Sequence, residues 1–171
     1  MSTLLQSLLG VGATGQVPAR ASTRSAMAAG AGGAIAIFVV ATLSASSSVA
    51  LMMAPLGATC FLAFGVPESP LAQPRNIIFG HIIAATVGLI VLNLVGSGPL
   101  ALSLGVGIAI AAMQLLRAGH PPAGANPLVI IGAGADWDFL LFPVASGALL
   151  IVFVALIVNG IRRDVRYPLY W

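Results

Sequence analysis

An all-α membrane bundle is the fold class this sequence predicts, and three observations predict it. The 171 residues are 59% hydrophobic and only 6% charged, where a soluble domain carries about 25% charged residues. Four apolar stretches, near 27–45, 76–96, 99–118 and 139–159, each approach the roughly 20 residues that a helix needs to cross the hydrocarbon. Between them lie two shorter apolar segments broken by Pro and Gly, "VALMMAPLGATCFLAFGV" (49–66) and "AGANPLVIIGAGA" (123–135).

With a mean hydropathy of +1.07, so few charges cannot cover a water-facing surface, and the length suits one membrane domain without an appended soluble module. The stretch 1–26 is polar and Ser/Ala-rich and holds Arg20 and Arg24. It lacks the basic start followed by an apolar run that marks a signal peptide, so it reads as a cytoplasmic tail with a short surface helix. Residues 27–160 form the membrane domain and 161–171 a cytoplasmic C-terminal tail. Gly and other small residues recur through the spans, as close helix packing in lipid favours.

The two broken segments align without a gap. Pro55-Leu56-Gly57-Ala58 matches Pro122-Ala123-Gly124-Ala125, Gly65 matches Gly132, and Gly80 matches Gly147, each 67 positions apart. The element order of long span, broken segment, long span also occurs twice, over about 27–96 and 99–160. If both broken segments cross the membrane, every Arg (20, 24, 75, 117, 162, 163 and 166) falls at one side, while Asp136, Asp138 and the "GSGP" turn at 96–99 fall at the other. If both dip in and return, Arg75 and Arg117 land on the outer side against the positive-inside rule. Six crossings therefore fit best, with the two halves oppositely oriented in a 3+3 inverted repeat. In such folds, interrupted helices present free backbone groups to a substrate near the midplane.

Candidate site residues follow from that placement. His120 precedes Pro121-Pro122, and Pro122 suits the first position of a helix. A helix start exposes unpaired N–H groups that favour an anion, so His120, the 122–126 amides, Gly124 and the Asn126 side chain are read as an anion-binding or proton-linked site. Pro55, Gly57 and Thr59 bring a second helix start from the other half. Arg117 anchors the end of its span and attracts anions to the inner mouth, with Arg75 and Asn76 beside it. His81, inside an apolar span, needs a polar partner or a cavity. It either lines the path or bonds a backbone carbonyl. Glu68 is expected to pair with Arg75 or cap its loop, and Asp136 and Asp138 to cap the last helix, with Trp137 in the interfacial aromatic belt. Cys60, the lone cysteine, reads as a small packed residue. No catalytic constellation, cofactor motif or metal-ligand spacing appears, and no basic stripe suits nucleic acid.

The strings "APLGAT" (54–59), "SPLAQPRN" (69–76), "GH" (80–81) and "GHPPAGANPL" (119–128) resemble the HPP family of membrane proteins, named for a His-Pro-Pro motif that here is His120-Pro121-Pro122. The resemblance spans about 27–160. It implies a membrane protein, usually described with four transmembrane helices against the six read above. Some members are nitrite transporters of plastids and cyanobacteria, and others carry fused regulatory modules. The expected function is transport of a small anion, nitrite foremost, by a homo-oligomer in a bacterial inner membrane. The competing expectations are a different small solute and a membrane scaffold or sensor.

Overall fold

The computed structural model describes residues 19–47 and 49–171, and its regular elements are all helical. Helix α1 (Thr23–Ser46) starts where the Ser22 hydroxyl accepts the Ser25 N–H at 3.1 Å, a standard N-cap. Residues 23–26, read from the sequence as tail, thus belong to α1, and the surface helix expected further upstream lies outside the described residues. Helix α2 (Pro55–Cys60) carries Pro at its first position and runs into a π-helical turn, Phe61–Gly65. A 3-10 turn (Pro70–Ala72) leads to α3 (Pro74–Val95), then α4 (Pro99–Leu115). Pro opens both helices, where its missing N–H is not needed.

The His-Pro-Pro string forms a 3-10 turn (Pro121–Ala125) that continues as α5 (Asn126–Ala133) and stops at Gly134, whose φ of 60° is the left-handed C-cap conformation. A π-helical turn (Leu140–Ala145), extended at Phe142, precedes α6 (Ser146–Ile161). Three helical runs are long and apolar enough to span a membrane: Thr23–Ser46, Pro74–Val95 and Leu140–Ile161. The third stretch read from the sequence falls short of that length. Helix α4 has 17 residues and ends at Leu115, because the backbone turns at Leu116 and Arg117 takes a φ of 53°.

Side-chain bonds gather four helix ends at one end of the bundle. Arg162 reaches Ser25 and Asp164, the Arg166 N–H donates to Glu68, and Arg75 donates to the Arg117 and Leu116 carbonyls. The π-helical turn after α2 is tied to α6. Asn159 Nδ2 donates to the Ala63 carbonyl and Arg162 Nη1 to the Phe64 carbonyl, both at 2.8 Å, supplying donors to carbonyls that a π turn leaves displaced from the regular ladder. Asp136 and Asp138 are exposed, and neither caps the last helix. Phe139 occupies the N-cap position there without a side-chain bond.

The core joins Val40 of α1, Leu56 of α2, Ile77 and Leu89 of α3, Ile130 of α5 and Ile151 of α6, all fully buried. Two glycines set how closely α3 and α6 approach the connectors ahead of the broken helices. A Cβ on Gly80 would lie 3.0 Å from the Ala118 carbonyl oxygen and 2.7 Å from the His120 Cβ. A Cβ on Gly147 would lie 3.1 Å from the Leu51 carbonyl oxygen and 2.7 Å from Leu56. Gly80 and Gly147 share the 67-residue offset, and so do Leu51 and Ala118. The same close approach is therefore made twice, with the halves exchanged.

Candidate functional site: a hydroxyl between two imidazoles

Three segments meet around Thr59. This residue is fully buried in the last turn of α2, His81 is fully buried two turns into α3, and His120 is 1% exposed on the connector between α4 and the 3-10 turn. Thr59 Oγ1 lies 2.8 Å from His81 Nε2 and 3.0 Å from His120 Nε2. The two rings stand edge to face with centroids 5.1 Å apart. His120 Nδ1 is 2.8 Å from the Leu71 carbonyl. On the other side, Asn126 at the start of α5 sets Nδ2 3.1 Å from His81 Nδ1 and 3.0 Å from the His81 carbonyl.

Hydrogen-bond accounting orders this chain when both rings are neutral. A carbonyl only accepts, so the Leu71 oxygen requires a proton on His120 Nδ1. His120 Nε2 is then bare and accepts from Thr59. The hydroxyl has one proton, so His81 Nε2 must donate to Thr59, leaving His81 Nδ1 bare to accept from Asn126 Nδ2 at 3.1 Å. Asn126 Oδ1, 3.3 Å from the same ring nitrogen, receives no proton from it. Every donor has an acceptor, as buried polar groups require. The two histidines hold opposite tautomers.

Of the residues read from the sequence, the structure brings together Thr59, His81, His120 and Asn126. Pro55 belongs to the cluster through its carbonyl, 3.2 Å from Thr59 Oγ1. Asn76 is attached at one remove, donating from Nδ2 to the Gly119 carbonyl at 2.9 Å. The cradle of free amides expected at 122–126 does not form. Pro122 has no N–H, Ala123 donates to the His120 carbonyl, and the Asn126 N–H donates to the Ala123 carbonyl. Arg75 and Arg117 stay outside the cluster. Arg75 is held on helix-end carbonyls and over the Phe79 ring, and the Arg117 side chain is exposed. Glu68 pairs with the Arg166 N–H in place of Arg75, because Arg75 is taken by the carbonyls that α4 leaves unpaired. His81 bonds side chains through both nitrogens, where the sequence suggested a path lining or a carbonyl. Among the described residues, no three His, Cys, Asp or Glu side chains converge as metal ligands.

One crevice borders the cluster at His120, and a second lies at the start of α2. One, of about 370 Å³, is lined by Leu71, Met113, Gln114, Gly119, His120, Pro121 and Gly124 among others. The other, of about 400 Å³, is lined by Ile37, Met52, Met53, Ala54 and Gly57. Met52, Met53, Ala54 and Gly57 lie 67 positions before Gly119, His120, Pro121 and Gly124. The crevices are thus built from corresponding positions, with Met53 standing where the other has His120.

The C-terminal tail, which the sequence reads only as a tail beyond the membrane domain, closes one side of this region. The Leu169 N–H donates to Gln73 Oε1, and the Tyr170 hydroxyl bonds the Pro70 carbonyl and Asn76 Oδ1, so the strap reaches Gly119 and His120 through Asn76. Arg162 and then Ser25 hold the Asp164 carboxyl well below the usual carboxylate range. The charged pair is therefore complete above the ordinary Asp value of about 3.9 and is lost only as pH falls well below it. Removing residues 166–171 is expected to speed hydrogen exchange at Gly119 and His120 by about tenfold, as the bonds the strap makes to Gln73, Pro70 and Asn76 are exchanged for solvent. Unchanged exchange there would show the strap to be decorative.

A helical integral membrane protein folded about a buried hydroxyl–imidazole cluster is the class these features define. The chain belongs to the HPP family. Residues 18–168 match the family model described as "HPP, transmembrane region". A transmembrane protein of Dictyostelium discoideum is 38% identical over 149 residues, covering 80% of this chain and 48% of the relative. A second Dictyostelium transmembrane protein is 40% identical over 129 residues, 71% of this chain and 45% of the relative. The chain therefore spans about half the length of the curated relatives it matches. No solved structure matches it.

Proposed function

We propose that the protein is a transporter or channel-like facilitator for a small anion, with nitrite as the leading substrate, and that the solute passes between the two broken helices. The observation that carries this reading is the Thr59–His81–His120 cluster, set where α2 and the His-Pro-Pro turn meet and bordered at His120 by a crevice. Buried ionisable side chains within a membrane domain serve solute or proton pathways by default. The choice of nitrite comes from the family resemblance. The chemistry is compatible, since an imidazole can pass a proton to a weak-acid anion near neutral pH.

The reading includes a six-crossing, 3+3 inverted repeat, supported by the exchanged glycine contacts and the matched crevices. It places the arginine-bearing end and both termini in the cytoplasm of a bacterial inner membrane, following the positive-inside rule. A homo-oligomer completes the wall, since α1 buries only Gly32, Ala36 and Val40. The test is nitrite flux into liposomes holding the purified protein, beside His120→Ala and empty vesicles. Flux should require the protein and fall at least about tenfold in the variant, the scale of one lost charge-assisted bond. Equal flux in all three removes nitrite. Direct uptake of other weak acids or neutral solutes into the same liposomes then tests the second candidate class, a different small solute.

A further inference from the structure

The Thr59 hydroxyl has two acceptors within reach, and only one of them is used in the neutral chain. Its proton points to His120 Nε2 at 3.0 Å, while the Pro55 carbonyl waits at 3.2 Å. We infer that the cluster is a one-proton store in which the Thr59 hydroxyl turns from His120 Nε2 to the Pro55 carbonyl when His120 takes up a proton. Its part in transport rests on the reading above, whereas the protonation itself is a property of the protein alone.

The balance is simple. One proton arrives from a weak acid or hydronium in the crevice beside His120 and adds to the Nε2 lone pair that Thr59 vacates. His120 then donates from Nδ1 to the Leu71 carbonyl and from Nε2 to Thr59 Oγ1. The oxygen uses its two lone pairs for His120 and His81, and its own proton goes to Pro55. His81 keeps its tautomer, with Asn126 still donating to Nδ1. No other group needs to move, and in both states every side-chain donor of Thr59, His81, His120 and Asn126 has an acceptor. Two states that satisfy every donor and differ by one proton and one hydroxyl rotation are what a store requires.

The charged and titratable groups on the elements packed about His120 are accounted for. On α3, Arg75 is occupied by the Leu116 and Arg117 carbonyls. Beside Thr59, Cys60 packs into the apolar core. Arg117, on the connector itself, faces outward. Glu68 holds the Arg166 N–H, and Tyr170 is bonded to Pro70 and Asn76. His81 alone shares the hydrogen-bond chain, so proton uptake at His120 is governed by Thr59.

The chain has two histidines, so nitrogen-15 histidine labelling of the full protein, purified with a histidine-free tag in lipid nanodiscs, gives one readable pair of ring signals for each. At neutral pH the two rings should show opposite tautomers, and on acidification one ring should become doubly protonated while the other keeps its form. In Thr59→Val, which keeps the shape and loses the hydroxyl, that uptake should move to lower pH by about one unit, a tenfold change in proton affinity. Thr59→Ser should restore it. Identical tautomers in the wild type, no proton uptake before unfolding, or a midpoint unmoved in Thr59→Val would each overturn the inference. If Thr59→Val does not fold, the wild-type spectrum and Thr59→Ser decide. Nitrite flux is measured separately: a proton store in a protein that moves no nitrite overturns the transport reading and leaves the store standing.

Discussion

Gly80→Val should yield little folded protein, with the thermal transition in detergent lowered well beyond that of any surface variant. The Cβ alone would sit 3.0 Å from a backbone carbonyl oxygen, that of Ala118, and 2.7 Å from the His120 Cβ. Neither is the flexible tip of a side chain, so relief requires α3 to separate from the connector that carries His120. Overpacking of this kind costs about 3 kcal/mol at the upper end of its range, a large share of a marginal total. Gly147→Val should behave alike, since its Cβ would meet the Leu51 carbonyl at 3.1 Å. Gly107 supplies the control, because nothing lies within 4 Å of a Cβ there, and Gly107→Val should express and melt near the wild type. A stable Gly80→Val protein with its histidine signals unchanged would mean that α3 and the His120 connector can part without cost.

Much of this was legible in the sequence because membrane folding obeys few, strong rules. Span length and arginine placement gave the six segments, and Pro-Gly interruption marked the two short ones. Repetition at an offset of 67 marks both helix starts, and with them Thr59, His120 and Asn126, while His81 stands out as a histidine within an apolar span. What linear reading missed is how those four pair. Thr59 lies 22 residues from His81 and 61 from His120, and no local pattern encodes contacts between three separate segments. An α-helix starting at Pro122 would leave a cradle of free amides. The chain instead folds a 3-10 turn, which spends its N–H groups on nearby carbonyls. Glu68 and Arg75 are near in sequence and opposite in charge, yet the fold carries the guanidinium to the Leu116 and Arg117 carbonyls and leaves Glu68 to the Arg166 N–H. The exposed ion pair forgone is worth little. The tail strap was invisible for a plainer reason: its partners, Gln73 and Asn76, lie more than 90 residues away.

Asn126→Leu should be the most damaging single change within the cluster, in both stability and transport. The amide gives one N–H to His81 Nδ1 and the other to the His81 carbonyl, and it is fully buried. Leucine fills much the same space and leaves the ring nitrogen without its donor in a dry site. A buried acceptor left unpaired costs about 1–3 kcal/mol, and the loss of the second bond adds to it. His81 is also freed to exchange tautomers, which breaks the proton order running through Thr59 to His120. Pairing this change with His81→Leu separates the two effects. When both partners of a buried bond become apolar, most of the penalty disappears, so the double variant should regain a large part of the lost thermal stability. Transport should not return with it, because the chain then lacks one of its two rings. If flux recovers with stability, the histidine and the amide are packing devices, and the path must be sought outside the cluster. Stability restored with flux still absent separates the cluster's function from its part in folding, and assigns that function to the ordered protons between Asn126 and Leu71.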